Sequence, residues 1–328
     1  MDFNNIDTID GYAFQSFKRL RWLSMRQNHI NIFSKIFDIA LKSLLGLQHL
    51  DIRYNIDKTM DISKPMVYPY FENHPLITDL YMDIVENPVF KLSGFKNILE
   101  LNTIKFARCF LKQMFNDTLV DLPSTITAIY FHECVGKLSI VEADFLKPFP
   151  LLQILNMDRV AIHLGDALKL LYPFTHARMT SIIFKQISPL VPKPVFITRV
   201  MIQYLMHVCV KTLVLAECEI VGYEKRSLLA FKFPECLENV VFSGNRFSLA
   251  LGAHLRELIV FMRKAINVKF FDLSYNAINF NNIKYCNLDV LDNPSYAKEI
   301  YSKGCQIKSS TTNENEAYSP ILEKGSNG

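Results

Sequence analysis

The sequence predicts an α/β solenoid, in which short strand-and-loop units stack so that their strands form one parallel sheet. Three observations carry that expectation. One apolar pattern recurs along the 328 residues, half of the residues are hydrophobic, and glycine is scarce at 11. A chain of this length would ordinarily be read as about two domains. A repeat removes that prior, because a solenoid grows one unit at a time around a continuous core.

The pattern is an apolar residue, a second three positions on, a third two further, and then Asn or Cys after another three. Leu20, Leu23, Met25 and Asn28 make one complete copy, closed by Ile30. Val210, Leu213, Leu215 and Cys218 make another, followed by Leu237, Val240, Phe242 and Asn245, and by Val268, Phe271, Leu273 and Asn276. Leu47, Leu50, Ile52 and Asn55, and Ile126, Ile129, Phe131 and Cys134, are nearly as good. Weaker copies keep the triplet and lose the polar anchor, leading to Val85, Phe106, Val160 and Ile187, and Asn4 reads as the tail of a further unit. The anchors then fall at 4, 28, 55, 85, 106, 134, 160, 187, 218, 245 and 276, at intervals from 21 to 31.

The spacing has a physical reason. Alternate apolar residues put one face of a strand into a core and leave the residues between them outside. Where the chain turns out of the strand, its backbone groups need new partners. An asparagine amide supplies donor and acceptor there, and a small buried thiol does part of the same work. Phe14 and Phe17 are expected to plug the return segment ahead of Leu20. The array is assigned to residues 1–295, a C-terminal cap remnant to 296–308, and a disordered tail rich in Ser, Thr, Asn and Glu to 309–328.

Charge and motifs exclude several function classes. Net charge is 36 − 32 = +4 without a Lys/Arg block, so no specific nucleic acid is expected. The start shows neither a basic nor an apolar leader segment, and Val200 to Val210 is too short and polar to span a bilayer. As written, the chain reads as soluble and cytoplasmic, with a membrane reached only through a missing segment. His132, Glu133 and Cys134 could suggest a metal site. Alternation aims the first two outward and the third inward, so neither metal nor cofactor is expected. No nucleophile elbow or catalytic set emerges.

The outward strand positions form the expected binding face, with Trp22, Arg26, His49, Arg53, Tyr130 and Lys185 as the candidate contacts. Trp22 is the only tryptophan, and Trp with Arg is the composition of interface hot spots. Asn28, Asn55, Cys134, Cys218, Asn245 and Asn276 are the expected structural anchors. Asn116 heads the one glycosylation sequon not blocked by proline. Cys209 and Cys236 each precede the first apolar residue of adjacent units. Stacked strands would hold them at disulfide distance, although two buried free thiols fit the same position.

The segment from Ile6 through Ala13, Phe14, Phe17, Leu20, Leu23 and Met25 to Asn28 and Ile30 resembles the extracellular type of leucine-rich repeat. The uneven array, with a middle that loses its asparagines, is similar to the ectodomain of Toll-like receptors. The resemblance implies a horseshoe with its sheet on the concave face. It also implies a non-catalytic role in innate immune recognition, with a protein or microbial ligand on the concave or lateral face and a receptor dimer. The chain departs from a full receptor in showing no leader, cysteine caps, membrane helix or signalling domain, with Cys286 and Cys305 as the remnant of the C-terminal cap that the resemblance implies. It is therefore expected to be part of a longer extracellular or cell-surface receptor, the alternative being an intracellular leucine-rich-repeat adaptor.

Overall fold

A computed structural model describes residues 1–56, 60–134, 138–247, 252–276, 300–302 and 305–306. Ten parallel strands follow one another in chain order across a single sheet. They are β1 (Trp22–Ser24), β2 (His49–Asp51), β3 (Asp79–Ile84), β4 (Thr103–Cys109), β5 (Ala128–Cys134), β6 (Ile154–Val160), β7 (Arg178–Lys185), β8 (Cys209–Ala216), β9 (Asn239–Val241) and β10 (Phe270–Asp272). A further strand, β11 (Ile300–Ser302), pairs parallel with β10, and β12 (Cys305–Gln306) turns back antiparallel on it. The chain is thus a leucine-rich-repeat-type α/β solenoid. Cys286 and the tail from 309 lie outside the described residues.

The register follows the apolar triplet. Leu23, Leu50, Leu80, Ile104, Ile129, Leu155, Ile182, Leu213, Val240 and Phe271 stand opposite one another in one column. All ten are buried, as is the next inward row from Met25 and Ile52 to Phe242 and Leu273. Return segments close the core from the other side. They include helices α1 (Lys35–Leu41), α2 (Leu164–Lys169) and α3 (Gly252–Lys264), and short paired strands such as Val195–Ile197 with Ile220–Tyr223. Ser34 caps α1 by accepting from the Phe37 amide. Glu257 docks α3, its buried carboxylate accepting from the amides of Arg226 (2.6 Å) and Leu228 (3.0 Å).

Each asparagine anchor ties two coils together. The Asn245 Oδ1 accepts from the amides of Cys218 (2.9 Å) and Ile220 (3.2 Å) in the preceding coil. Its Nδ2 donates to the carbonyls of Leu215 (2.7 Å) and Phe242 (2.9 Å). Asn28, Asn55 and Asn276 repeat the arrangement. Cys218 does part of it, its buried thiol donating to the Phe184 and Ala216 carbonyls. Burial pushes that thiol up to about 12, so it stays protonated.

Where asparagine is missing, three other devices serve. At Val85 the buried Tyr68 hydroxyl accepts from the Val85 amide (3.1 Å) and donates to the Asp83 carbonyl (2.9 Å). At the next two anchors, Cys109 and Cys134 are joined as a disulfide. At Val160 the anchor is absorbed into the strand. The central strands β3 to β8 accordingly run for six to eight residues, against three in β1, β2, β9 and β10. With no amide side chain to capture the turning backbone, those groups stay in the ladder with their neighbours.

The residue before the anchor takes a left-handed conformation in eight coils: Gln27, Tyr54, Glu133, Arg159, Gln186, Glu217, Gly244 and Tyr275. That turn lets the anchor point back inward, and only one of the eight is glycine. In the two remaining coils a register shift between Met82 and Ile84 replaces it.

Four expectations need correction. The fourth coil is anchored at Cys109, not Phe106. Leu101, Ile104, Phe106 and Cys109 fit the full pattern, and the irregular interval of 21 becomes 24. Cys134 is not a free thiol, because the correctly phased Cys109 stands directly opposite it in the sheet. Asn4 is exposed and bonds only to the Asp2 carbonyl. Residues 1–6 instead lie along β1, with Met1 and Ile6 serving Asn28. Phe14 is buried, but Phe17 is 53% exposed, since no described coil precedes it to cover the ring.

These packing roles predict distinct losses. Leu213→Ala should cost about 2–5 kcal/mol as a large-to-small core change. Asn245→Ala should cost about 1–3 kcal/mol by stranding buried amides and carbonyls. Urea unfolding of both variants measures each; a neutral Asn245→Ala would remove the inter-coil role assigned to that amide.

Candidate binding face

Side chains between the inward columns emerge on the open face of the sheet. One outward row runs Ser24, Asp51, Tyr81, Lys105, Tyr130 and Asn156, one residue from each of β1 to β6. Beside it, Trp22 of β1 faces His49 of β2. Adjacent strands lie about 4.8 Å apart, which suits ring-on-ring contact.

The N-terminal end of this face is an aromatic and cationic stack. The indole of Trp22 lies flat on the imidazole of His49, with centroids 3.5 Å apart and planes within 9°. His49 in turn meets Tyr81 edge-on at 4.7 Å. Trp22 is 64% exposed, whereas His49 is only 4% exposed. His49 is therefore not an open contact residue but the covered ring that holds Trp22 in place. Arg53 lies over Tyr81 at 5.0 Å and clasps the Asp51 carboxylate through Nε (2.8 Å) and Nη2 (2.5 Å). Its charge is largely committed within the protein.

Tyr54 is flanked by the guanidinium groups of Arg26 (5.1 Å) and Arg108 (5.4 Å). Arg26 also covers Phe3. Arg108 is held by the Ile56 carbonyl (2.8 Å) and by the buried Asp83 (3.5 Å). Burial raises the Asp83 carboxyl, although Arg108 and three backbone amides pull against it. Lys105 lies over Tyr130 at 6.0 Å, and burial followed by the nearby Arg53 charge lowers its ammonium. Among the described residues, neither Arg26 nor Lys105 is within ion-pair distance of a carboxylate. Asp2, near Arg26, is occupied by the Ser24 hydroxyl and the Arg26 amide.

Farther along the face the charges close on one another. His132 Nε2 lies 3.0 Å from Asp158 and 2.5 Å from Arg159, and Arg159 reaches Glu133 at 2.8 Å. Burial, then Arg159, lowers the His132 imidazole, so it is neutral and accepts from Arg159. Lys185 is exposed and lies 3.5 Å from Glu217. The structure thus gathers Trp22, Arg26, His49, Arg53 and Tyr130 at one end and leaves Lys185 apart. Sequence reasoning missed Tyr81, Lys105, Tyr54 and Arg108. Placing the fourth anchor at Cys109 would have put Lys105 in the outward row with Asp51 and Tyr130.

Cys209 and Cys236 are joined as a disulfide between the coils of β8 and β9. Asn116 is exposed, and lies beside a groove of about 540 Å³ on the flank of the array lined by Leu99, Val120, Pro123 and Pro148. Among the described residues no group of three metal-binding side chains occurs, and no helix is long and apolar enough to cross a membrane.

The fold and this face define a leucine-rich-repeat-type solenoid with a structured aromatic patch at one end of its sheet. No family model and no curated protein matches the chain. Among solved structures it is similar to the crystal structure of a TLR13–ssRNA13 complex, at 15% sequence identity and a TM-score of 0.38. The match covers 87% of this chain and 54% of that one.

The covered imidazole makes a pH-dependent prediction. Burial holds His49 below its ordinary 6.5, against the pull of Asp79 and Asp51. As pH falls, the unfolded chain binds the proton first. The stabilisation from neutral His49 is therefore full above about pH 6.5 and is lost as pH falls through the lower folded value. His49→Phe keeps the ring stack without the titration. Its melting temperature should gain on wild type between pH 7.5 and 5.5, measured by circular dichroism. A constant difference between the two would mean that His49 protonates freely in the fold.

Proposed function

We propose that the chain is a non-catalytic recognition module, built like part of a Toll-like receptor ectodomain, that binds a microbial ligand or a second receptor chain on its open sheet face. One observation carries the reading: Trp22 is largely exposed, yet its ring is fixed by His49 and, through it, by Tyr81. A large aromatic that is rigid but uncovered loses little entropy on binding, as interface hot spots require. The face offers polar and aromatic contacts on a rigid sheet, which supports recognition.

The two disulfides support an extracellular or cell-surface place over the intracellular adaptor, because such bonds persist in oxidising compartments. A glycan on Asn116, at the edge of the flanking groove, would belong to the same reading.

Two measurements test this. Binding of microbial lipids, oligonucleotides and receptor ectodomains should be measured by interferometry for wild type and for Trp22→Ala with Tyr130→Ala. The true ligand should lose about tenfold or more in affinity, while circular dichroism shows the sheet retained. A ligand bound equally well by both proteins would move the site off this face. The second measurement is differential alkylation of protein from a secretory host. Cys109, Cys134, Cys209 and Cys236 should resist iodoacetamide until reduced, and Cys218 until unfolded. Labelling of those four without reduction would favour the adaptor.

A further inference from the structure

Two cations on the open face lack the carboxylate partners that their neighbours have. Arg53 is clasped by Asp51 and Arg108 is held beside Asp83. Lys185, Lys211 and Lys269 farther along each face a glutamate. Lys105 and Arg26 lie over aromatic faces with no carboxylate at ion-pair distance among the described residues, Asp51 and Asp158 attracting Lys105 and Asp2 attracting Arg26 only from farther off, and Arg26 Nε is buried without a hydrogen-bond partner. Lys105 sits between Tyr81 and Tyr130 in the outward row, partly buried and close enough to Arg53 for the two charges to repel. A desolvated cation between two phenols is poised for an anion brought by another molecule.

The chemistry of that anion follows from what else lies on the face. Asp51 and Asp79 stand in the outward rows beside the cations, so a polyanion laid across the face would meet like charge there. One or two carboxylates flanked by apolar atoms would not. The other fixed contact is the uncovered face of Trp22. From Trp22 to Lys105 the distance is three strand spacings across and two residues along, about 16 Å, the reach of about five residues of extended peptide.

From this geometry we infer that the face over β1 to β5 binds an acidic peptide segment of a partner protein. An Asp or Glu carboxylate seats on Lys105 between Tyr81 and Tyr130, and an aromatic or aliphatic side chain about five residues away lies on Trp22. Arg26 supplies a second, weaker seat for a neighbouring acid. The assignment rests on the recognition reading and gives it a partner class.

The test is selection of a phage-displayed random twelve-residue library on the full chain. Enriched peptides should share an acid with an aromatic or aliphatic residue about five positions away. The best of them, made synthetically with a fluorophore, should bind Lys105→Gln about tenfold more weakly or worse and Lys105→Arg nearly as well as wild type. Selection on Lys105→Glu should exchange the acid for Lys or Arg, a change that mere loss of structure does not produce. Peptides that depend on Trp22 but carry no acid, or ignore Lys105→Gln, would overturn the acidic seat and leave the recognition reading standing. Peptides sensitive to neither Trp22→Ala nor Lys105→Gln, or no enrichment at all, would overturn the inference. A fluorescent twelve-thymidine oligonucleotide runs in parallel. Its Lys105-dependent binding in place of any peptide would also overturn it.

Discussion

Every coil of this molecule must satisfy the backbone groups exposed where a strand ends and the chain turns away. Those groups are buried between neighbouring coils, where an unpaired amide or carbonyl is costly and water does not reach. The array answers with an asparagine amide at both ends, a tyrosine hydroxyl at Val85, a cystine at Cys109 and Cys134, a thiol at Cys218, and plain strand extension at Val160. Because each asparagine bonds to its own coil and to the one before it, the same contact that ends a strand also fixes the spacing between coils. The single column of apolar residues from Leu23 to Phe271 is a consequence of that spacing.

The choice of device sets the shape of the working face. A three-residue strand presents about 10 Å of sheet, and an eight-residue strand about 26 Å. The narrow strands β1 and β2 therefore put Trp22, His49, Asp51 and Arg53 close to the turn residues Tyr54 and Arg26, compressing rings and charges into one stack. Where the strands lengthen, the outward rows spread, and Lys105 and Tyr130 stand on broader ground. The aromatic patch lies at the transition between the two regimes, where Tyr68 and the Met82 register shift stand in for an asparagine.

The repeat, its inward column and four asparagine anchors were readable in the sequence because burial imposes a strict period on them. The fourth coil was read out of phase because Phe106 is itself apolar, so a short and a full copy of the pattern overlap there. That slip hid both the Cys109 partner of Cys134 and the outward place of Lys105. The covering of His49 was not readable. It depends on two rings from adjacent coils closing over a third, a contact between residues some thirty positions apart that no local pattern encodes. The bond between Cys209 and Cys236 was one of two open readings, since position alone does not distinguish a bonded pair from two buried thiols.

The distribution of cystines has a mechanical meaning. Under a force that draws the two ends of the chain apart, coils held by asparagine would peel away one after another, each releasing its full length. Cys109 with Cys134 and Cys209 with Cys236 close loops of 25 and 27 residues that cannot lengthen while the bonds stand. Each withholds roughly 90 Å of contour, so the coils between β4 and β5 and between β8 and β9 cannot lengthen, while the coils on either side of them can. Reduction would release that hidden length without altering a single residue of the face.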